Sequence, residues 1–275
     1  MYSLNSAGRL LTLDPPRVMG ILNITPDSFY SGSRVLAEAQ LLQRVETMIG
    51  EGASIIDIGA QSTRPDSRFL SAEEEWERLL PVLPGLCRRF PDTIFSIDSF
   101  YAQVAQRAVE AGAGMVNDIS GGQLDAALLP AVGTLGVPYV CMHMRGTPQT
   151  MQTLTSYEDL VLEISDYFIG RIAACRAAGI KDIVLDPGFG FAKTVSQNFT
   201  LLNRLEQFQV LGYPLLLGVS RKSSISKTLG ITAEAALNGT TVLNTVGLMK
   251  GAAILRVHDV KEAVEAVKLV KTMQP

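Results

Sequence analysis

Eight short apolar runs rich in Val, Ile and Leu recur along the chain, and a segment with helical periodicity follows each of them. Such runs are typical of parallel strands buried on both faces, and the segments between them are typical of helices that cover a sheet. The predicted strands span residues 18–23, 54–58, 93–98, 115–118, 138–142, 183–186, 214–218 and 253–257. The predicted helices span residues 38–49, 72–89 (capped by Ser71), 101–111, 125–135, 157–178, 197–210, 234–249 and 261–272.

Eight strand–helix pairs in 275 residues favour an α/β fold, a closed (β/α)8 TIM barrel, over an open doubly wound sheet. Barrels of this size commonly form one unit around one core, and no linker or low-complexity tract divides residues 1–275. We therefore predict a single domain. The segment 9–17, which contains Pro15 and Pro16, is predicted to form an extra N-terminal hairpin that plugs the bottom of the barrel.

Composition excludes several classes of function. The formal net charge is −3 and the sequence pI is near 5.5, so no general attraction to nucleic acid or to an anionic membrane is expected. No apolar run approaches the roughly 18 residues of a membrane span, and residues 1–5 lack the pattern of a signal peptide, so we predict a cytoplasmic protein. Cys87, Cys141 and Cys175 are interpreted as small core residues rather than disulfides or metal ligands.

Polar side chains stand at the ends of the predicted strands, where barrel enzymes carry their chemistry. They are Asn23, Asp98, Asn117, Asp118, Asp186, Arg256 and His258. Each type has an ordinary structural explanation: a strand-end Asp can cap a helix or begin a turn, an Asn can satisfy loop backbone, and His143 in the fifth loop can be a hydrogen-bonded core group. Their recurrence at one rim favours a binding site.

The chemistry of this rim predicts a heterocycle flanked by anions. Two carboxylates and an amide in a barrel mouth are costly to bury unless a ligand donates hydrogen bonds to them. A ring with a guanidine-like edge, such as a 2-amino-4-oxo pterin or a guanine, offers such donors. Local positive charge for a phosphate is expected from Arg64, Lys222, Arg256 and His258.

The motifs "GILNITPDSF", "STRP", "SIDS", "NDISGG", "MHMRGTPQTMQ", "LDPGFGFAKT", "GVSRKS" and "RVHDV" occur in this order between about residues 17 and 260. Together they resemble the motifs of dihydropteroate synthases, the folate-pathway enzymes that sulfonamides inhibit. The resemblance implies a (β/α)8 barrel, usually a homodimer, that joins 4-aminobenzoate to 6-hydroxymethyl-7,8-dihydropterin diphosphate and releases pyrophosphate with the help of Mg²⁺.

The resemblance also implies roles for individual residues. The implied pterin-binding residues are Asp98, Asn117, Asp186 and Lys222, with Asp186 on the guanidine-like edge of the ring. The implied diphosphate-binding residues are Asn23, Thr63, Arg256 and His258, and Asn23 is also the implied Mg²⁺ ligand. The implied aminobenzoate-binding residues are Phe29, Thr63, Arg64, Pro65, Phe189 and Ser223. The implied catalytic residues are Asp98, Lys222, Arg256 and His258.

The implied chemistry agrees with the absence of a recognisable Ser–His or Cys–His pair in the sequence. An arylamine is neutral at pH 7 and already nucleophilic. The resemblance points to a dissociative path, in which the diphosphate leaves first and the amine traps a pterin cation. Arg256, His258 and Mg²⁺ would stabilise the leaving charge, and Asp98 would favour the cation. The loop after Asn23 is expected to be a mobile lid that carries Phe29.

The chain departs from the family pattern in two loops. Residues 30–33 read Tyr-Ser-Gly-Ser where many members have an acidic residue and glycines, and Gln61 and Asp66 stand where Glu and Gly are common. The pterin and diphosphate residues are unaffected. We hypothesise that loop closure uses other pairings in this chain, involving Arg34 or Arg68.

Two other functions remain open at this point. A methyltetrahydrofolate-dependent methyltransferase of the related pterin-binding barrels would share the Asp and Asn residues, and a paralogue could bind pterin without condensing it. The motifs "STRP", "GVSRKS" and "RVHD" favour the synthase, because a protein that only binds pterin needs no diphosphate clamp. The apolar character of "TVLNTVGLMKGAAI" and "EAVEAVKLV" makes the last two helices the expected dimer interface.

Overall fold

The computed structural model describes residues 2–24, 34–61 and 68–273, with the backbone alone described for residues 34–37. Eight parallel strands close into a barrel in the order β10-β3-β4-β5-β6-β7-β8-β9. The barrel strands are β3 (Arg17–Asn23), β4 (Ile55–Gly59), β5 (Ile94–Asp98), β6 (Met115–Asp118), β7 (Tyr139–Met142), β8 (Ile183–Asp186), β9 (Leu215–Leu217) and β10 (Ala252–Val257). The predicted TIM barrel is confirmed, and each barrel strand overlaps its predicted range.

Helices cover the outside of the barrel in the described part of the chain. They are α1 (Arg34–Glu51), α2 (Ala72–Leu79), α3 (Leu83–Arg89), α4 (Ala102–Glu110), α5 (Leu128–Leu135), α6 (Leu160–Ala177), α7 (Val195–Asn203), α8 (Ser223–Leu229), α9 (Leu237–Met249) and α10 (Val260–Met273). The main core lies between these helices and the strands. The predicted N-cap Ser71 begins α2 with a reciprocal capping box, in which its hydroxyl accepts from Glu74 N and the Glu74 carboxylate accepts from Ser71 N.

Several predicted helices differ from the structure in extent. The range 72–89 is two helices, and Pro81, which has no amide hydrogen to continue the helical hydrogen bonds, lies between them. The range 197–210 divides into α7 and a 3₁₀ segment, Leu205–Leu211, that ends at Gly212 with φ 77°. The range 234–249 begins only at Leu237, and the short helix α8 precedes it.

A hairpin closes the N-terminal end of the barrel, as predicted, although its position in the sequence differs from the prediction. Its strands are β1 (Ser3–Ser6) and β2 (Arg9–Thr12), and the turn at Ala7 and Gly8 has φ values of 49° and 88°. Leu4 and Leu13 pack into one cluster with interior residues of the barrel strands. Pro15 and Pro16 lie in the connection to β3 rather than in the hairpin itself.

The remaining general expectations concern the membrane and the cysteines. Among the described helices, none is both long enough and apolar enough to cross a membrane. Cys141 and Cys175 are fully buried, Cys87 is half-buried, and all three are free thiols. Their interpretation as small core residues is confirmed for the two buried ones.

Candidate active site

The carboxyl ends of four neighbouring strands place candidate site residues in one layer of the barrel. In the strand register, Asn23 is opposite Gly59, Gly59 is opposite Asp98, and Asp98 is opposite Asn117. A Cβ at Gly59 would lie 3.6 Å from Asp98 Oδ2 and 3.7 Å from Asn23 Oδ1. Because Gly59 has no side chain, the side-chain oxygens of Asn23 and Asp98 both lie beside the position that its Cβ would occupy.

Arg256 is held by two carboxylates at the centre of this layer. Its Nε donates to Asp57 Oδ2 and its Nη2 donates to Asp98 Oδ2, both at 2.6 Å. Asn117 Nδ2 donates to the same Asp57 oxygen at 2.9 Å. Charge-assisted contacts of this length are strong, so the four side chains form one network that fixes their orientations.

Asp57 is a site residue that the sequence reasoning missed. It is fully buried in β4, and its Oδ1 has no hydrogen-bond partner among the described residues. Burying a carboxylate oxygen without a hydrogen-bond donor costs free energy, so an Asp at this position calls for an explanation other than packing. The signal was present in the sequence "IIDIG", where a single charge interrupts a buried strand.

Arg256 was expected to provide positive charge for a phosphate, but in this network two carboxylates already balance that charge. The arginine is already compensated by Asp57 and Asp98 in the free protein, and no described residue accepts a hydrogen bond from its Nη1. The side chain is 22% exposed, so a further anion can reach it from the mouth. Burial and the neighbouring carboxylates Asp57, Asp118 and Asp186 raise the pKa of Asp98 to about 7, although Arg256 acts in the opposite direction.

Asp186 and Lys222 lie on the other side of the mouth. Asp186 Oδ1 accepts from Gly188 N at 2.8 Å, and burial raises the pKa of this carboxyl although Lys222 opposes the effect. Lys222 Nζ donates to Phe189 O and lies 4.7 Å from the ring centroid of Phe191. Burial lowers the pKa of Lys222 to about 8, against the influence of Asp186.

Phe189 differs from its sequence-based role. Its ring is 2% exposed and belongs to the main core, so only its backbone carbonyl faces Lys222. The loop "DPGFGF" therefore positions Lys222 through its backbone. The predicted contact of the Phe189 ring with aminobenzoate has no counterpart in this arrangement, because a buried ring cannot wall an open pocket.

A buried pair, Lys193 and His143, contacts the backbone of the loop "DPGFGF". The sequence analysis did not predict this pairing. Lys193 Nζ contacts Gly188 O, Phe191 O and His143 Nδ1, each at 3.0 Å. His143 is 2% exposed, and burial together with the charge of Lys193 lowers its pKa to about 2. The interpretation of His143 as a hydrogen-bonded core group is thereby supported.

His258 follows β10 and contacts Ser220 in the neighbouring loop. The distance from Ser220 Oγ to His258 Nδ1 is 2.9 Å, and His258 N donates to the same oxygen at 3.1 Å. Burial and the charge of Arg256 lower the pKa of His258 to about 4. This shift favours the neutral imidazole at pH 7 in the ligand-free protein, and a neutral ring acts through hydrogen bonds. The positive charge expected of His258 beside a phosphate stays a prediction.

Ser223 and Asp118 complete the described rim. Ser223 is the exposed first residue of α8, as predicted, directly after its N-cap Lys222. Asp118 accepts from Tyr139 Oη at 2.6 Å and from backbone and hydroxyl donors of Ser120 at 2.7 Å. Because its oxygens are occupied within the protein, Asp118 has a structural role in shaping the loop after β6.

Four predicted aminobenzoate or diphosphate residues lie outside the described residues, namely Phe29, Thr63, Arg64 and Pro65, as do the variant positions Ser31 and Asp66. Gln61 is described: its Oε1 accepts from Leu70 N at 2.8 Å, while its buried Nε2 has no hydrogen-bond partner in the part of the chain that the structure describes. Arg68 is paired with Glu74 at 2.7 Å, so any other pairing of this arginine must break that contact.

The oxygen atoms around Gly59 fit a hard divalent cation. Among the described residues, no group of three or more His, Cys, Asp or Glu side chains could hold a metal ion. Mg²⁺ is commonly bound by one or two protein oxygens together with substrate phosphates and water. Asn23 Oδ1, which lies near Asp98 across Gly59, is an oxygen of the type that could serve as such a ligand.

Comparison with known proteins agrees with this geometry. A family model described as "Pterin binding enzyme" matches residues 19–258. The dihydropteroate synthase of Escherichia coli K12 is 42% identical over 266 residues, which cover 96% of this chain and 94% of that protein. The Synechocystis dihydropteroate synthase is 44% identical over 255 residues, covering 92% of this chain and 88% of the relative.

Solved structures give the same result. The Yersinia pestis dihydropteroate synthase in a sulfonamide complex has a TM-score of 0.93 and 40% identity, with 99% of each chain covered. The Xanthomonas albilineans enzyme in complex with 7,8-dihydropteroate has a TM-score of 0.86 and 35% identity over 99% of this chain and 98% of the other.

The barrel, its polar mouth and the family match define a pterin-binding enzyme. Within that class, the chain belongs to the dihydropteroate synthase family.

Proposed function

We propose that this chain condenses 6-hydroxymethyl-7,8-dihydropterin diphosphate with 4-aminobenzoate, giving 7,8-dihydropteroate and pyrophosphate. It is a transferase of folate biosynthesis, as its relatives are. The observation that carries the proposal is the convergence of Asp98, Asn117, Asp186 and Lys222, from four separate strand–loop units, on one end of the barrel. Matches over more than nine-tenths of the chain to named synthases support it.

The pterin is proposed to lie between Asp186 and Lys222 on one side and Asp98 and Asn117 on the other. Asp186 keeps one oxygen on Gly188 N, and its second oxygen, which accepts no hydrogen bond from the described residues, accepts from the guanidine-like edge of the ring. A buried carboxylate gains most from such a pairing, because the ligand supplies the donors that water provided before burial. Lys222 covers the ring from the loop after β9.

The diphosphate is proposed to bind beside Arg256 and His258. Arg256 offers Nη1, while Asp57 and Asp98 hold the rest of its guanidinium in place. His258 offers a neutral N–H donor. When bound, Mg²⁺ would supply Lewis-acid stabilisation of the leaving oxygens from the side of Asn23. These groups are aimed at the position where negative charge develops, which is the arrangement that stabilises a transition state.

The reaction is proposed to proceed by loss of the diphosphate and capture of the pterin cation by the arylamine. The carbon–oxygen bond to the diphosphate breaks, the bond from the amine nitrogen to the methylene carbon forms, and the amine releases one proton. The carboxylate of Asp98 favours the cationic carbon framework electrostatically. Because the amine is already neutral and nucleophilic, no side chain has to act as a general base to activate it.

The proposal is tested by measuring pyrophosphate release from the pterin diphosphate and Mg²⁺, with and without 4-aminobenzoate. We expect release with formation of dihydropteroate, and a loss of at least about 100-fold in kcat/KM for Asp186→Asn and Lys222→Ala, in the range seen for electrostatic groups of this kind. Glu77→Gln on the outer face of α2 is the control. Pterin binding without any release would favour the non-condensing paralogue, and methyl transfer from methyltetrahydrofolate would favour the methyltransferase.

Several finer properties are part of the proposal. Because relatives have been solved with a sulfonamide and with 4-aminobenzoic acid, we expect both ligands to bind here beside Ser223. We also propose a homodimer, supported by the exposed apolar side chains Val242, Met249, Leu269 and Met273 on α9 and α10. The cytoplasmic location stays a prediction.

A further inference from the structure

Ser220 and His258 occupy equivalent places in two adjacent loops. Leu217 of β9 pairs with Leu255 of the parallel strand β10, and Ser220 and His258 each follow three residues later. The register of the sheet therefore brings the two side chains together. Ser220 is 5% exposed, so its hydroxyl is withdrawn from solvent and must find its hydrogen-bond partners within the protein.

The hydrogen bonds of Ser220 assign the proton of the imidazole. Ser220 Oγ accepts from His258 N at 3.1 Å and lies 2.9 Å from His258 Nδ1. The hydroxyl has one proton, and no other acceptor for it is found among the described side chains. Donation to Nδ1 satisfies both groups, whereas a protonated Nδ1 would leave a buried hydroxyl proton without an acceptor. A neutral imidazole whose Nδ1 is unprotonated carries its proton on Nε2.

A second link keeps the two loops in this arrangement. Arg221 donates to both carboxylate oxygens of Asp259, at 2.7 and 2.9 Å, and Arg221 N donates to Thr240 Oγ1 at 3.0 Å. Arg221 adopts φ 53°, a left-handed conformation that a residue with a side chain avoids unless its surroundings hold it. The loops after β9 and β10 are thus joined through two consecutive pairs, Ser220–His258 and Arg221–Asp259.

We propose that Ser220 is a positioning residue that fixes His258 in the Nε2–H tautomer, so that the imidazole presents a neutral N–H donor to the diphosphate. This inference rests on the proposed function. The opposite tautomer would turn a bare nitrogen lone pair toward the phosphate oxygens and repel them. Ser220 has no role in the chemistry itself and acts only through His258.

The surroundings of His258 agree with a neutral ring. Burial and the nearby cations Arg256, Arg221 and Arg44 hold its pKa at about 4, and Asp259 opposes them. Arg44 also donates to the backbone oxygen of His258 at 2.9 Å. Three cations around one imidazole disfavour a second proton, so the tautomer decides what the ring can offer a ligand.

The tautomer can be read directly by nitrogen NMR, because the chain contains only two histidines. The ¹⁵N-histidine spectrum of the ligand-free protein at pH 7 is recorded, and His143→Gln assigns the signals. We expect the His258 Nδ1 signal of an unprotonated ring nitrogen and the Nε2 signal of an N–H. Ser220→Ala should lose this fixed pattern and give a mixture of tautomers, and Ser220→Thr, which keeps the hydroxyl, should restore it.

A control separates the hydroxyl from general loop support. Thr240→Ala removes a hydrogen bond to the same loop without touching His258, and it should leave the tautomer pattern unchanged. A protonated Nδ1 in the unsubstituted protein, in either the neutral or the doubly protonated ring, would overturn the inference. An unchanged pattern in Ser220→Ala, or equal loss in Thr240→Ala, would also overturn it.

The consequence for binding is measured with pyrophosphate. Ser220→Ala should weaken pyrophosphate binding by about three- to tenfold, which is the range for loss of one neutral hydrogen bond, and Ser220→Thr should recover most of it. Equal affinity in Ser220→Ala and the unsubstituted protein would overturn the positioning role. Failure of the unsubstituted protein to bind pyrophosphate at all would overturn the proposed function while leaving the tautomer assignment intact.

Discussion

Burial sets the protonation state of two ionisable residues near the barrel mouth. Lys222 loses hydration where the loop after β9 meets Asp186, and its pKa falls to about 8. Glu75 of α2 is fully buried, and burial raises its pKa to about 8, although Ser99 acts in the opposite direction. Desolvation is the main cause of both shifts. It disfavours the charged form, so it lowers the pKa of the ammonium and raises the pKa of the carboxyl group.

The first prediction concerns the charge of Lys222. Because its pKa is lowered, the ammonium is lost as the pH rises through about 8. We expect kcat/KM for the pterin diphosphate to decline above that pH. In Lys222→Arg the guanidinium stays charged, so any remaining activity should decline only at higher pH. A pH–rate profile with the same alkaline decline in both proteins would show that another group titrates.

The second prediction concerns stability and Glu75. Between its ordinary value of 4.5 and about 8, the folded protein keeps a proton on Glu75 that the unfolded chain has released. The contribution of Glu75 to the free energy of unfolding therefore falls as the pH rises, by up to about 1.4 kcal/mol per pH unit. Glu75→Gln removes this dependence, so the variant should be close to the unsubstituted protein at pH 5 and the more stable of the two at pH 8.

This stability prediction is checked by urea unfolding from pH 5 to 8.5. Glu77→Gln, on the exposed face of the same helix, is the matched control and should give a difference that does not change with pH. A pH-independent difference for Glu75→Gln as well would mean that Glu75 is ionised in the folded protein.

At the scale of elements, two glycines inside helices have opposite surroundings. A Cβ at Gly133 of α5 would lie 1.8 Å from the backbone oxygen of Ala178, at the end of α6. A Cβ at Gly170 of α6 would meet nothing within 4 Å. Gly133 therefore permits α5 to approach the end of α6 closely. Gly170 has no such role, and as a glycine it only increases the conformational entropy that the backbone loses when the helix folds.

The third prediction compares alanine at these two positions. Gly133→Ala should lower the free energy of unfolding by about 1–3 kcal/mol or more, because the methyl group meets backbone that cannot rotate away. Gly170→Ala should raise it by about 0.5–1 kcal/mol. Urea midpoints of the two variants test the pair. Equal effects would mean that α5 can shift relative to α6 at little cost.

At the scale of the whole molecule, apolar residues remain exposed on the last two helices. Val242 and Met249 are seven residues apart on α9, and Leu269 and Met273 are four apart on α10, so each pair lies on one helix face. All four side chains are more than half exposed. Apolar faces of this kind are commonly interaction sites, which is the physical support for the proposed homodimer.

The fourth prediction tests that homodimer. Sedimentation equilibrium should give about twice the chain mass of 29.7 kDa. Val242→Lys combined with Leu269→Lys should shift the protein toward the monomer. Each subunit would then bring two positive charges into the interface, where they would be desolvated and face the lysines of the other subunit. Leu162→Lys on α6, where the leucine is 60% exposed, is the control and should leave the mass unchanged. A monomeric unsubstituted protein would contradict the proposal.

Local features of the sequence were sufficient for the architecture. The recurrence of short apolar runs identified every barrel strand, because a strand buried on both faces needs a largely apolar segment. Prediction failed where the backbone chemistry of one residue mattered more than periodicity, as at Pro81 between α2 and α3. The N-terminal hairpin was placed correctly in space but not in the sequence, because its short exposed strands carry little pattern.

The sequence by itself determined the barrel, the strand ends that carry Asn23, Asp98, Asn117 and Asp186, and the family, since all of these depend on local order along the chain. The tertiary structure alone decided which groups meet and which are charged. Asp57 and Arg256 are 199 residues apart and joined by a hydrogen bond of 2.6 Å. The neutrality of His258 and the buried ring of Phe189 were likewise settled by packing, because desolvation and contact depend on neighbours in space, which no local pattern encodes.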